Sequence, residues 1–224
     1  MLTSFREGVW SIATPARFFG LETGTRMTVI RLADGGLFVH SPIALGSALR
    51  TEIDALGTVR AIVAPSIFHH LHVGGWADAY PEAVIAACPG LDIKRPDIRW
   101  SQVLGDQPHP IWANEIEQVC FSARRENEVD FFHRASRTFV CADSLLNLST
   151  HPDRATRFVA RLMGNVAPGV GWVEPFMVRD RKLARRQVDR MLEWDADGVL
   201  LGHGAPLESG GRAAIDNAYR WLPA

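Results

Sequence analysis

His69, His70 and His72 stand within four positions of one another, directly after an apolar run at 59–64 and just before Gly74 and Gly75. Imidazole is the commonest protein ligand for zinc and related ions, and a rigid strand end holds it in place. A lone histidine there reads as a turn cap or a packed ring; a cluster of three reads as a ligand loop. Other polar groups close apolar runs in the same way. Asp143 follows 138–142, His203 follows 199–201 between Gly202 and Gly204, and His40 ends 37–39. Ligands gather where strands hand over to loops in open sheets. Imidazoles with a carboxylate suit zinc, iron or manganese. Each group also has a plainer reading, Asp143 as a turn former before Ser144 and His203 as a loop residue.

The elements that must position these groups follow from periodicity. Residues 27–32 and 36–41 are β-rich runs joined by Asp34-Gly35-Gly36, a hairpin signal. Leu49, Ile53 and Leu56 recur at helical spacing and Gly57 supplies a stop. Residues 59–64 form a short buried strand that delivers the histidine loop, 76–80 fit a short helix ended by Pro81, and 83–87 fit another strand. Residues 105–114, with two prolines around His109, make an irregular loop. Three more strands follow at 116–123, 128–132 and 138–142. Ala155, Phe158, Val159, Leu162 and Met163 then make a helical stripe ending at Gly164, with Pro152 in the first turn. Ala184, Val188, Met191 and Leu192 repeat the pattern, 199–201 is a strand, and Ile215, Ala218, Tyr219 and Leu222 make a last amphipathic helix. Two strand-rich halves, each followed by helices, predict two sheets packed face to face with helices outside. The expected sheets take residues up to about 87 and then 116–142, in one domain spanning 1–224.

Composition sets the class. The chain has 224 residues, 47% apolar and 22% charged, with a formal net charge of -1. That balance gives no global pull toward nucleic acid or an anionic membrane, and no run approaches the roughly 20 apolar residues of a membrane span. Cys88, Cys120 and Cys141 are widely spaced and odd in number, so they fit buried apolar positions in a reducing cytoplasm.

The segment Ile67-Phe68-His69-His70-Leu71-His72-Val73-Gly74-Gly75 resembles the metallo-β-lactamase superfamily, whose motif His-x-His-x-Asp-His, commonly followed by x-Gly-Gly, lies after a buried strand. The resemblance extends to Phe139-Val140-Cys141-Ala142-Asp143, similar to the segment bearing the metal-bridging aspartate, and to His203-Gly204, similar to the last ligand. Phe68-His69-His70-Leu71, residues 132–138 and Leu201-Gly202-His203-Gly204 are similar to an uncharacterised branch known as a domain of unknown function. The resemblance implies an α/β fold, the four-layer αββα sandwich, and metal-dependent hydrolysis.

The departures matter as much. Ile67 stands where the superfamily has its first histidine, Leu71 where it has the aspartate that binds a second metal and orients the attacking water. No histidine lies between Glu117 and Asn127, where a third-strand ligand belongs. The resemblance therefore implies at most one ion, of zinc, iron or manganese, or none. Its ligands are drawn from His69, His72, Asp143 and His203. His72, Asp143 and His203 form the expected centre, with His69 in support; Asp143 and His69 are the candidates to orient water. Three side chains and a water is the usual count for one catalytic zinc.

Several other residues have weaker readings. His133 is expected in a turn, with substitution as a ligand the alternative, and His40 and His70 are further stand-ins. Glu128 is a candidate to hydrogen-bond a ligand imidazole, and Trp76 to wall the site. The basic stretch of Arg179, Arg181, Lys182, Arg185, Arg186 and Arg190 fits the solvated side of a helix. Two functions remain: a one-metal hydrolase of an unknown small molecule (ester, thioester, lactone or phosphate), or a fold-retaining binding or scaffold protein without catalysis. Neither a nucleic-acid nor a membrane partner is expected.

Overall fold

The computed structural model describes residues 1–223. The amino-terminal half contributes nine strands: β1 (Thr3–Arg6), β2 (Val9–Thr14), β3 (Arg17–Phe18), β4 (Leu21–Glu22), β5 (Thr25–Arg31), β6 (Gly36–His40), β7 (Thr58–Ala64), β8 (Val84–Ala87) and β9 (Gln102–Val103). Between them lie α1 (Ser47–Leu56), α2 (Val73–Ala79) and α3 (Leu91–Lys94). A seven-stranded sheet runs in the order β1-β2-β5-β6-β7-β8-β9, while β3 and β4 form a separate small hairpin. The second sheet, β10-β11-β12-β13, is built from β10 (Ile116–Cys120), β11 (Val129–His133), β12 (Thr138–Val140) and β13 (Gly198–Leu200). Helices α4 (Arg154–Leu162), α5 (Glu174–Met177) and α6 (Arg181–Glu193) precede β13, and α7 (Gly211–Tyr219) follows it.

Local chemistry sets the layers. Asp34 and Gly35 close the β5–β6 turn: the Asp34 carboxylate accepts the Gly36 amide at 2.8 Å, and Gly35 takes a φ of 83°. From β6 the sheet becomes parallel, and α1 carries the crossover to β7 with Leu49 and Ile53 turned inward. In the second sheet β12 and β13 are parallel, their connection carrying α4, α5 and α6. Strand alternation sends Phe131, Val140 and Leu200 into a core shared with Phe38, Ile62 and Trp76 of the first half. The opposite face, with Val119, Phe132, Phe139 and Val199, packs on Ala184, Val188 and Met191 of α6 and Ile215 and Tyr219 of α7. The result is the expected αββα sandwich.

Three details differ from expectation. β1 and β2 extend the first sheet from a stretch with no clear apolar alternation; Thr3 and Ser4 are exposed, and pairing to β5 sets the register. Pro152 lies outside α4, whose cap is Asp153, its carboxylate accepting the Thr156 amide at 2.8 Å. Most consequentially, the apolar stripe of α4 points outward. Thr156 and Ala160 are the buried residues of this helix, while Phe158 and Leu162 are exposed. All three cysteines are buried and free, as expected.

Candidate metal centre

Three strand ends deliver three donors to one point. β7 runs into Ser66, whose hydroxyl oxygen accepts the amides of Phe68 and His69 at 3.3 Å and so tightens the turn that aims His69. β12 ends beside Asp143, and β13 ends beside His203. The Nε2 atoms of His69 and His203 lie 3.2 Å apart, and Asp143 Oδ1 lies 3.5 Å from the first and 3.3 Å from the second. Among the described residues, these three make the one group of histidine, cysteine, aspartate or glutamate donors able to share an ion, with all ligand atoms within 4.8 Å of one another.

The far side of each ring is fixed. His203 Nδ1 donates to the Gly24 carbonyl at 2.6 Å, which puts the proton on Nδ1 and leaves an Nε2 lone pair in the neutral ring. His69 Nδ1 lies 2.6 Å from the Ser41 hydroxyl. Ser41 sits at a φ of 54°, a left-handed conformation costly for a residue with a side chain. Its amide is tied to the Val63 carbonyl at 2.9 Å, which helps hold the strained residue under His69. The donor set, two imidazole Nε2 atoms turned inward and one carboxylate oxygen, fits zinc, iron or manganese.

Electrostatics bind the trio. Burial would raise the Asp143 carboxyl, but His69 and His203 hold it well below the usual carboxylate range. Burial would likewise lower the His203 imidazole, but its hydrogen bond and ion pair with Asp143 raise it. Gly202 permits the close approach: a Cβ there would meet the Ala142 carbonyl at 2.7 Å and His69 Cε1 at 2.8 Å.

Glu128 lies behind Asp143 and is fully buried. Its carboxylate accepts the Ala142 amide at 2.6 Å and the Asp143 amide at 2.9 Å. The other oxygen pairs with Arg124 at 3.1 Å, and Arg124 reaches on to Glu174 of α5 at 2.9 Å. Glu128 therefore holds the backbone of the aspartate and touches no ligand imidazole, a correction to the expected contact. Its place one residue before β11 brings it level with the end of β12, which explains the choice.

His72 is not part of the cluster. The chain turns through residues 69–72, and His72 becomes the exposed residue preceding α2. It lines a separate groove of about 630 Å³ with Ser47, Arg50, Leu71 and Asp78. The expected centre of His72, Asp143 and His203 is thus rearranged, His69 occupying the inner position. The three-residue step from His69 to His72 spends its rotation on the turn, so the two rings face different ways.

The other candidates fall elsewhere. Leu71 is 74% exposed and points away. His70 is buried, with Nδ1 3.0 Å from Arg95. His40 is fully buried, its Nε2 has no hydrogen-bond partner, and burial together with His69 pushes its pKa down to about 3. His133 hydrogen-bonds Ser136 at 2.8 Å in the turn at the opposite end of the sheet from Asp143. Trp76 is a core residue whose indole donates to the Ile43 carbonyl at 2.7 Å, so it does not wall the site. Ser41 and Ser66 escaped the sequence reading, since nothing in one sequence separates them from other serines.

Beside His203 opens a cleft of about 600 Å³, lined by Thr14, Gly24, Arg26, His151, Gly202 and Gly204 among others. Arg26 donates to the carbonyls of Leu201 and Gly204 at 2.8 and 2.7 Å, stiffening the loop that carries His203.

Comparison with known proteins fixes the lineage. Residues 6–166 match the family model described as Domain of unknown function (DUF4336). The chain belongs to that family. No curated protein matches the DUF4336 chain. Its fold is that of the metallo-β-lactamases. The structure of one from Pontibacter korlensis superposes with a TM-score of 0.65 at 11% identity, covering 99% of both chains. One from Hirschia baltica gives 0.62 at 15% identity, covering 98% of this chain and 96% of that one. The enzyme FIM-1 from Pseudomonas aeruginosa, solved in a mono-zinc form, gives 0.64 at 12% identity, covering 99% and 94%. The DUF4336 chain is therefore a divergent metallo-β-lactamase-fold protein whose His-Asp-His cluster can hold a metal.

Proposed function

We propose that this protein is a hydrolase that uses one divalent metal, held by His69, Asp143 and His203. The observation that carries the reading is the convergence of Nε2, Oδ1 and Nε2 on one point, with both imidazoles fixed from behind. Three protein donors leave a coordination position open, as catalytic sites do. When bound, the ion supplies Lewis acidity, lowering the pKa of a water toward ~7 and polarising a substrate oxygen. The existence of a mono-zinc form of the similarly folded FIM-1 is compatible with one ion.

The chain's own residues then have definite work. Asp143 Oδ1 faces both rings, while Oδ2 accepts the Ser66 hydroxyl at 3.3 Å, leaving a carboxylate placed to orient a water near the cluster by accepting its hydrogen bond. Leu71 removes the acid that orients water in the superfamily, and its outward direction leaves Asp143 and His69 as the groups for that task. The cleft beside His203 admits a small ester, thioester, lactone or phosphate. Loss of that acid also supports the second reading, a binding protein that keeps the fold without catalysis.

Elemental analysis of protein made without a histidine tag tests both. One zinc, iron or manganese per chain is expected, abolished in His203→Ala and His69→Ala and retained in His72→Ala. Two tightly held ions would refute the ligand count. A site that stays empty after refolding with excess zinc favours the non-enzymatic reading.

A further inference from the structure

Helix α4 is amphipathic with its apolar side turned to solvent. Phe158 is 68% and Leu162 66% exposed, and one turn apart they share a ridge. Arg154, Arg157 and Arg161, at the same helical spacing, run along the flank of that ridge. The acid beside them, Asp153, is engaged as the helix cap. Neighbouring elements extend the surface. The indole of Trp172, 56% exposed, donates to the Leu162 carbonyl at 2.9 Å, so it abuts the end of α4. On the other side Thr156 donates to the Glu22 carbonyl at 2.8 Å, docking α4 on the β3–β4 hairpin, whose Phe19 is 91% exposed. The hairpin in turn reaches the metal cluster: Phe18 packs on Phe68, next to His69, and Gly24 just beyond it bonds His203.

Exposed aromatic and aliphatic side chains grouped like Phe158, Leu162 and Trp172 are uncommon on a soluble monomer and mark an interaction surface. The charge pattern selects the occupant. Paired with a second copy about a twofold axis, this face would set its arginines against themselves. Facing anionic headgroups, the same arginines are matched while Phe158, Leu162 and Trp172 enter the acyl boundary, the pattern of an interfacial helix. We infer that this face docks on an anionic phospholipid surface. The net charge of -1 does not oppose this, because the attraction is local and screened beyond about 10 Å.

Sedimentation with vesicles of phosphatidylcholine mixed with phosphatidylserine, against phosphatidylcholine alone, is the test. Binding is expected to the anionic vesicles only and to weaken with salt. Each of Arg154→Gln and Arg161→Gln should lower the partition coefficient about fivefold. Phe158→Ser with Leu162→Ser should abolish binding while circular dichroism stays unchanged. Lys182→Gln with Arg186→Gln, on the exposed basic face of α6, should leave it intact. Absence of binding to anionic vesicles overturns the proposal, whether the protein is then a monomer or a dimer on gel filtration with light scattering. Equal loss from the α6 variant overturns it too, since that would mean unspecific charge attraction.

Discussion

A carboxylate set between two imidazoles needs its backbone held still, and Glu128 supplies that hold from the buried side. Its two charge-assisted bonds to the amides of Ala142 and Asp143 place the Asp143 side chain, while Arg124, shared with Glu174, offsets the buried Glu128 charge. Burial raises the Glu128 carboxyl, and Asp143 adds to that; Arg124 and the amides oppose it. Glu128→Ala strips Arg124 of one partner and the strand end of both acceptors, so a loss of about 3–5 kcal/mol in urea unfolding is expected. Glu128→Gln keeps an acceptor oxygen and the volume. Its folded protein should bind zinc roughly 10–100-fold more weakly in competition with a chelator dye, and an unchanged affinity would remove Glu128 from any positioning role. At this scale the sequence was informative where strand ends were apolar and clean. Asp143 and His203 each close such a run, and both reach the site. The expected order of His72 at the centre and His69 in support is reversed, because which of two histidines three apart faces inward depends on how the turn spends its rotation.

Elements matter here chiefly at their ends, where small residues let chain segments touch. Gly204 follows His203 with a φ of 95°, and a Cβ on it would overlap the Asn147 carbonyl. That segment is closed by the Asn147 amide bonding the His203 carbonyl at 3.1 Å and the Ala205 amide bonding the Asn147 carbonyl at 3.2 Å. Gly204→Ala combines a left-handed conformation with a backbone clash and should cost at least about 2 kcal/mol in urea unfolding, with metal affinity falling as His203 is displaced. A neutral result would show that the loop has slack the packing does not reveal. Gly202 and Gly204 around His203 were visible in the sequence, but the contacts that require them were not. The stripe in α4 teaches a similar lesson. Its period correctly gave a helix and correctly grouped Phe158 with Leu162, yet periodicity states which residues share a face and is silent on where that face points. β1 and β2 were invisible for the opposite reason, since the edge strand β1, with polar exposed residues, and β2 beside it gain their order from pairing rather than pattern.

At the scale of the whole molecule, the cluster ties together parts of the chain that are far apart in sequence. His69 comes from the first sheet's side and Asp143 and His203 from the second, and His203 is further tethered to Gly24. The inter-sheet core is shared as well, with Phe38 packing on Phe131 at 5.3 Å between ring centroids. An ion held by these three donors binds the folded chain alone, because unfolding separates them. Folding and binding are then linked, and zinc at about 100 times its dissociation constant should add about 2.7 kcal/mol to stability. For a chain of this size that corresponds to a rise of about 5–10 °C in the thermal midpoint. Differential scanning calorimetry with and without zinc reads it directly. The wild type and His72→Ala should show the full shift, and His69→Ala and His203→Ala none. With the core shared between sheets, the shift should move one cooperative transition as a whole. A zinc effect confined to the first of two resolved transitions would mean that the halves fold separately. An equal shift in His203→Ala would mean that zinc binds elsewhere on the chain, and the proposed centre would fail.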